Sequence, residues 1–485
     1  MAVKAKMILR SELARVFGLL RRYALCAIIA SCYLWLAAHI LLNGGYLAQD
    51  NSKWVHFSKD IILGTSSWVF NPSLSDLPVT NPPLLFVLGA IAIQTFGEPY
   101  GIKIVSWLLA FLNLASLYLV WRLVRSVLAE SWNFWFVAFT ATLPAYVITS
   151  VVYAPDALAI LPFLGYCALN IRLMHEKGPA TRTLVASCLV QIVGGVSKFT
   201  FIAFAPASLL MAVYLAARPT FSRNKKSLIF LIIFLIPFTV NMSVLKWYEG
   251  DSNHLLRFPE LQNRIALRSF LPYPRDTDIF NAPAYFDPIL EDGKHIPVNR
   301  SGARDDNQAG RWGYQILIDN RYSYPALLHL GIYSDVMNIA FGFQSPSAAR
   351  SAQNQLFQKA SLYLGIVFSL AVLLSNICFV IYAVFSFARW FGRYSRPPDT
   401  VIFFISAWLP SFCWYFLIVG SLPFMDAEVY WGGYWLPRLV IGPLIIFGAI
   451  GFWGLRQLSR ILPVARVLQA VVAAQIFLHF GLILS

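Results

Sequence analysis

Residues 81–97 read Asn-Pro-Pro-Leu-Leu-Phe-Val-Leu-Gly-Ala-Ile-Ala-Ile-Gln-Thr-Phe-Gly. Whether this stretch crosses a membrane decides the fold, because every later charged loop changes side with it. It is apolar, but Pro82-Pro83 and Gly97 bound it and leave only 84–97 for a helix. A helix needs about 20 apolar residues to cross a hydrocarbon core ~30 Å thick. Segments of about that length recur near 23–43, 101–121, 132–150, 157–171, 183–197, 200–217, 227–245, 360–387, 401–420, 436–454 and 467–484. Those eleven are read as spans. The 84–97 segment is read as a juxtamembrane or re-entrant helix on the outer side.

Lysine and arginine concentrate at the cytoplasmic ends of spans, and this rule decides the matter. The N-terminus carries Lys4, Lys6, Arg10, Arg15, Arg21 and Arg22 and is assigned to the cytoplasm. If 84–97 stays outside, the clusters Arg122/Arg125, Arg172/Lys177/Arg182, Arg218/Arg223/Lys225/Lys226, Arg389/Arg393/Arg396 and Arg456/Arg460/Arg466 all fall inside. If it crosses, they fall outside. On the first arrangement the inside holds 21 of 38 basic residues and four of 23 acids, a net +17, and the outside a net −2. The overall +15 is thus a topology signal. No nucleic-acid motif accompanies it.

Composition agrees. The 485 residues are 58% hydrophobic and only 13% charged, against about 25% charged in soluble domains. A cytosolic globular enzyme, a disordered chain and a disulfide scaffold are all excluded on these grounds. The six cysteines lie in apolar runs, with no CxxC spacing. The fold class is therefore an all-α polytopic membrane protein. Residues 1–245 form an N-terminal membrane module containing an outer segment, 44–100. Residues 246–357 form a large outer loop or cap, and 358–485 the C-terminal spans. The first apolar segment is as long as a span and lacks a clean cleavage site, so it is read as retained. Asn241-Met-Ser and Asn299-Arg-Ser match the glycosylation sequon.

Several charges stand where topology does not require them. Asp50 follows the first span and precedes a helix-like stretch from Trp54 to Leu63 with His56 and Asp60. Asp156 follows Pro155 and opens a helix, where a carboxylate either caps the exposed N–H groups or binds a ligand. Lys198 lies between two apolar segments on the outer side, where it either snorkels or holds an anion. Arg438 sits just inside a late span and is either a partner for Asp426 or Glu428 or a second anion ligand. In the large loop, Arg311, Arg321 and His329 are candidate donors to a phosphate or sugar. Asp305-Asp306 is a candidate for a divalent cation, though no HExxH or close His pair supports a zinc hydrolase.

The order of these pieces resembles the polytopic GT-C glycosyltransferases, such as the protein O-mannosyltransferases and the bacterial lipid A aminoarabinose transferases. The matching residues are Asp50, Gly64, Asn81-Pro82-Pro83-Leu84, Phe96-Gly97, Tyr153-Ala-Pro-Asp156-Ala and Gly194-Gly-Val-Ser-Lys198, with Tyr434-Trp-Leu-Pro437 near a late span. The resemblance covers about residues 20–220. Many members carry Asp-Glu where this chain has Asp50-Asn51, and His or Lys where it has Asn81.

What the resemblance implies is a sugar transfer from a polyprenyl-phosphate donor to an acceptor hydroxyl at the outer face of a bacterial inner membrane, with inversion. Asp50 would be the catalytic base. Asp156, Lys198, Arg438, His56, Asn81, Arg311, Arg321 and His329 would bind substrate. No metal ligand is assigned, and a divalent cation is left open. The acceptor class, whether glycolipid such as lipopolysaccharide, polysaccharide or protein, is also open. A lipid or polysaccharide transporter and a non-catalytic envelope assembly protein are the alternatives. Neither internal repeats nor mid-span charges favour a transporter.

Overall fold

The computed structural model describes residues 23–42, 51–63, 83–176, 180–217, 222–249, 324–333, 352–390, 397–421, 438 and 440–484. Asp50, Gly64, Asn81, Asp305, Asp306, Arg311, Arg321, Asp426, Glu428, the Asn299 sequon and Tyr434–Pro437 lie outside these.

Every regular element among the described residues is helical. In lipid each backbone N–H and C=O must be satisfied within its own segment, so an apolar chain folds as helices. The first part runs α1 (Tyr23–Leu42), α2 (Asn51–Ile62), α3 (Leu84–Phe96), α4 (Glu98–Val124), α5 (Glu130–Thr142) and α6 (Pro144–Val151). It continues with α7 (Pro155–His175), α8 (Thr181–Ser197), a 3₁₀ turn Phe199–Phe204 leading into α9 (Ala205–Ala217), and α10. Helix α10 starts as Arg223–Phe230 and passes through a π-turn, Leu231–Leu235, into Ile236–Glu249. Then follow α11 (Tyr324–Tyr333), α12 (Ala352–Trp390), α13, α14 (Ile441–Ile461) and α15 (Ala465–Leu484). Helix α13 joins Asp399–Phe403 to Leu409–Ser421 through a second π-turn, Phe404–Trp408.

Among the described residues, nine helices are long and apolar enough to cross a membrane, and the pair α5–α6 makes a tenth if it is one bent span. The chain is thus a multi-pass membrane protein. Two of the eleven expected segments take a different form. The 132–150 segment is broken by 57° between α5 and α6. Leu143 there is extended (φ −60°, ψ 120°) because it precedes Pro144. The 183–197 segment is the 17-residue helix α8, about 25 Å long at 1.5 Å per residue, at the lower end of the length that crosses a membrane.

Helix α3 has 13 residues, or about 20 Å, too short to cross. It folds back along α4 and α2. The reversal is made at Gly97, whose φ of 80° lies in the region that favours glycine. Trp54 stacks on Phe86 at 5.6 Å and Phe57 meets the same ring at 5.2 Å. These residues join Leu85, Ile102, Val105, Leu109, Tyr153, Ala157 and Leu158 in a core of their own. The Pro-Pro corner therefore leads into a hairpin docked on the α4 and α7 starts.

The main core runs through α1, α4–α7 and α12–α15. Helix α12 has 39 residues, about 58 Å, so it extends well beyond one bilayer thickness. The short helix α11 docks against it. Asn241 of the first sequon is buried inside α10 and bonded to the Gln191 carbonyl, so it is not a glycosylation acceptor.

Candidate functional site

One proline and a paired glycine create the site. Pro155 cannot donate a backbone bond, and the residue before it is pushed to extended geometry. Ala154 accordingly has φ −145°, ψ 149°, and the chain between α6 and α7 opens at Val152–Ala154. In a continuing helix the Ser150 carbonyl would accept from the Ala154 N–H. That N–H instead bonds the Val152 carbonyl at 2.7 Å. Asn113 of α4 supplies the missing donor. Its Nδ2 lies 3.1 Å from the Ser150 carbonyl, 3.0 Å from that of Ala157 and 3.0 Å from that of Leu109. The break is thereby a fixed feature, and it presents Asp156 as the second residue of α7.

A second break carries Lys198. Helix α8 ends at Ser197, and Lys198 is extended (φ −156°, ψ 131°) before the 3₁₀ turn. The preceding Gly194-Gly195 is needed for packing. A Cβ on Gly194 would lie 1.9 Å from the Phe201 ring, and one on Gly195 would lie 1.9 Å from Asn241 Oδ1. The turn can fold back on itself only with both glycines.

The two breaks meet. Lys198 Nζ donates to Asp156 Oδ1, and Arg438 Nε stands 3.1 Å from Asp156 Oδ2. The exposures are 6% for Asp156, 5% for Lys198 and 6% for Arg438. Lys198 Nζ also faces the Trp414 ring of α13, 5.5 Å from its centroid, an attractive placement for a cation over an indole. Trp414 is held edge-on to Phe163 and against Phe201 and Phe204. A carboxylate thus lies between two cations on an aromatic floor. Charges this deeply buried persist only when paired. Such an arrangement can hold an anion, since its cations are fixed before any ligand arrives.

The residues named from sequence fall into three groups. Asp156, Lys198 and Arg438 come together, although no sequence reading joined them. Asp156 is turned onto the cations, and the N-cap of α7 is Ala154, without a side-chain bond. Asp50, Asn81, Arg311 and Arg321 lie outside the described residues. His56 and His329 have other neighbours. His56 is exposed on α2 and pairs with Asp60 at 3.5 Å. His329 is buried between α11 and α12. Its Nε2 donates to the Leu362 carbonyl at 2.9 Å and its Nδ1 accepts from the Ser369 hydroxyl at 2.9 Å. Burial lowers its pKa, against the opposing effect of the Leu362 bond, so the neutral ring fastens α11 to α12. Among the described residues, no group of three His, Cys, Asp or Glu side chains could hold a metal ion.

Sequence reasoning missed Trp414, Asn113 and the role of Tyr153. The first two sit in apolar spans with nothing local to mark them. Tyr153 stood beside the Asp156 motif and was the one with a signal.

No protein-family model matches the chain, and no curated protein matches it. Among solved structures it is similar to the crystal structure of ArnT from Cupriavidus metallidurans in the apo state. That match has 12% identity, covers 87% of this chain and 76% of the other, and has a TM-score of 0.31. It is also similar to the crystal structure of ArnT from the same organism bound to undecaprenyl phosphate, at 13% identity, 90% and 77% coverage and a TM-score of 0.32.

Proposed function

We propose that this chain is a GT-C-type integral-membrane glycosyltransferase of a bacterial inner membrane. It moves a sugar from a polyprenyl-phosphate donor to an acceptor hydroxyl on the outer side, inverting the anomeric carbon. The observation that carries the reading is the buried Asp156–Lys198–Arg438 cluster, assembled from two helix breaks and a third segment. Sequence resemblance supplies the reaction, and the cluster supplies a place for its leaving group.

The chemistry follows from the charges. The donor's anomeric C–O bond breaks and its electron pair leaves on the phosphate. Lys198 and Arg438 neutralise that charge as it develops. The acceptor oxygen forms the new bond to the anomeric carbon. Its proton passes to Asp50, the proposed base, which must lie within hydrogen-bond reach. Asp156 holds the two cations side by side and keeps them oriented. Asn81, Arg311, Arg321 and His56 are assigned to substrate contacts, and His329 to the docking of α11. The acceptor is a glycolipid, polysaccharide or protein hydroxyl.

The test is mass spectrometry of envelope lipids and glycans from a strain lacking the gene. One sugar is expected to be missing, and the wild-type chain restores it. Asp50→Asn, Lys198→Met and Arg438→Met chains reach the membrane and do not restore it. An unchanged glycan inventory in the deletion strain, or full restoration by Asp50→Asn, counts against this reading.

A further inference from the structure

Tyr153 stands three residues ahead of Asp156, and the transfer chemistry above gives it no part. Its side chain is fully buried. Its hydroxyl lies 2.7 Å from Ser58 Oγ on α2 and 3.2 Å from the Leu85 carbonyl on α3, to which it donates. Ser58 Oγ also reaches the Trp54 carbonyl at 3.1 Å. Gly89 of α3 makes the room. A Cβ there would lie 1.9 Å from the Tyr153 hydroxyl and 2.7 Å from Ser58 Oγ. One phenol therefore joins three elements at the break that bears Asp156.

Helix α2 is also held by Trp54 and Phe57 packing on Phe86 and by an exposed Lys59–Glu98 ion pair. Apolar contact is non-directional, and an exposed pair between long side chains is weak. A buried hydroxyl pair adds a directional constraint on the position of α2 along its own axis. Helix α2 begins at Asn51, directly after Asp50. One residue of helical slip is about 1.5 Å, and misplacement of about 1 Å costs on the order of 100-fold in rate.

We propose that Tyr153 is a positioning residue: its hydroxyl, shared between Ser58 and the Leu85 carbonyl, sets α2 against the α6–α7 break and so fixes the chain that carries Asp50 relative to the Asp156–Lys198–Arg438 cluster. This rests on the transferase reading above and adds a residue to it. Helix α2 and the anion site belong to separate segments, and Tyr153 ties α2 to the break that bears Asp156.

The test uses the full-length protein in lipid nanodiscs. Membranes of the deletion strain supply donor and acceptor, and undecaprenyl phosphate serves as the binding probe. Tyr153→Phe and Ser58→Ala each lower kcat by about 10- to 100-fold. KM for the donor and the affinity for undecaprenyl phosphate stay within about twofold, since neither change touches Lys198 or Arg438. The double variant is no slower than the slower single one, and Ser58→Thr recovers most of the rate. Amide exchange in 51–62 quickens while that in α9 and α14 does not. Unchanged exchange in 51–62, a full kcat, or a parallel loss of probe affinity overturns the inference. Where Tyr153→Phe fails to fold, Ser58→Ala and Ser58→Thr carry the test. A full rate in Tyr153→Phe beside an inactive Asp50→Asn removes this inference alone. A full rate in Asp50→Asn removes the assignment of the base, and this inference with it.

Discussion

Asp156 is the residue on which the site's electrostatics turn. It accepts from Lys198 and faces Arg438 with almost no water. Removing one member of a buried ion cluster leaves the others uncompensated and costs about 3–5 kcal/mol. Asp156→Asn puts two cations side by side without their carboxylate, so it is expected to destabilise the fold by about that amount. Asp156→Asn with Lys198→Met, which removes a partner from each side, is expected to lose less. Denaturant melts of the purified chain in one detergent check both, and an unperturbed Asp156→Asn melt shows that the cluster is not a coupled unit. Each charge was visible in the sequence because it interrupts an apolar context. Their pairing was not visible. Lys198 lies 42 residues from Asp156, and Arg438 is later still, so only packing of α7, α8 and the α14 entry brings them within reach. The local reading offered Asp426 or Glu428 to Arg438 and a helix cap to Asp156. Asp156 is turned to the cations without a capping bond, and Asp426 and Glu428 lie outside the described residues.

At the scale of elements, the breaks matter more than the helices. Pro144, Pro155 and the Gly194-Gly195 pair could be located by inspection, since proline ends a helix and glycine permits close approach. The 57° bend between α5 and α6 could not be read, because neighbours set the angle once the hydrogen-bond ladder is interrupted. Nor could the sequence show that Asn113 of α4 would supply a donor to the opened carbonyls. The lysine turn offers a direct test. In Gly195→Ala the new Cβ meets the Asn241 amide at 1.9 Å, and overpacking of this kind costs about 1–3 kcal/mol. The variant is expected to melt earlier and to bind undecaprenyl phosphate more weakly, because the strained turn carries Lys198. Adding Asn241→Ala removes the clash and is expected to recover most of the melting temperature. If it does not, the glycine serves some other purpose. A buried seam of Ser361, Gln475 and His479 links α12 to α15. It too arises between elements far apart in sequence.

For the whole molecule, the charge distribution predicts sidedness. On the proposed orientation, with the N-terminus inside and α3 on the outer surface, a cysteine at Glu98 is expected to react with an impermeant thiol reagent added outside intact cells. A cysteine at Arg223 is expected to react only after the membrane is opened. Reaction of both from the same side is inconsistent with the arrangement. Membrane residence, the helical class and the shortness of α3 were determined by the sequence alone. Apolar length, proline and glycine positions and the lysine–arginine bias are local quantities, and the membrane acts on them segment by segment. Other features were decided only by tertiary structure. These are the convergence of Asp156, Lys198 and Arg438 on the Trp414 floor, the docking of α2 through Tyr153, and the use of His329 as a clasp between α11 and α12. The physical reason is shared. An ion pair or a buried hydrogen bond needs partners a few ångströms apart, and no local pattern records which distant residues the packed helices will place there.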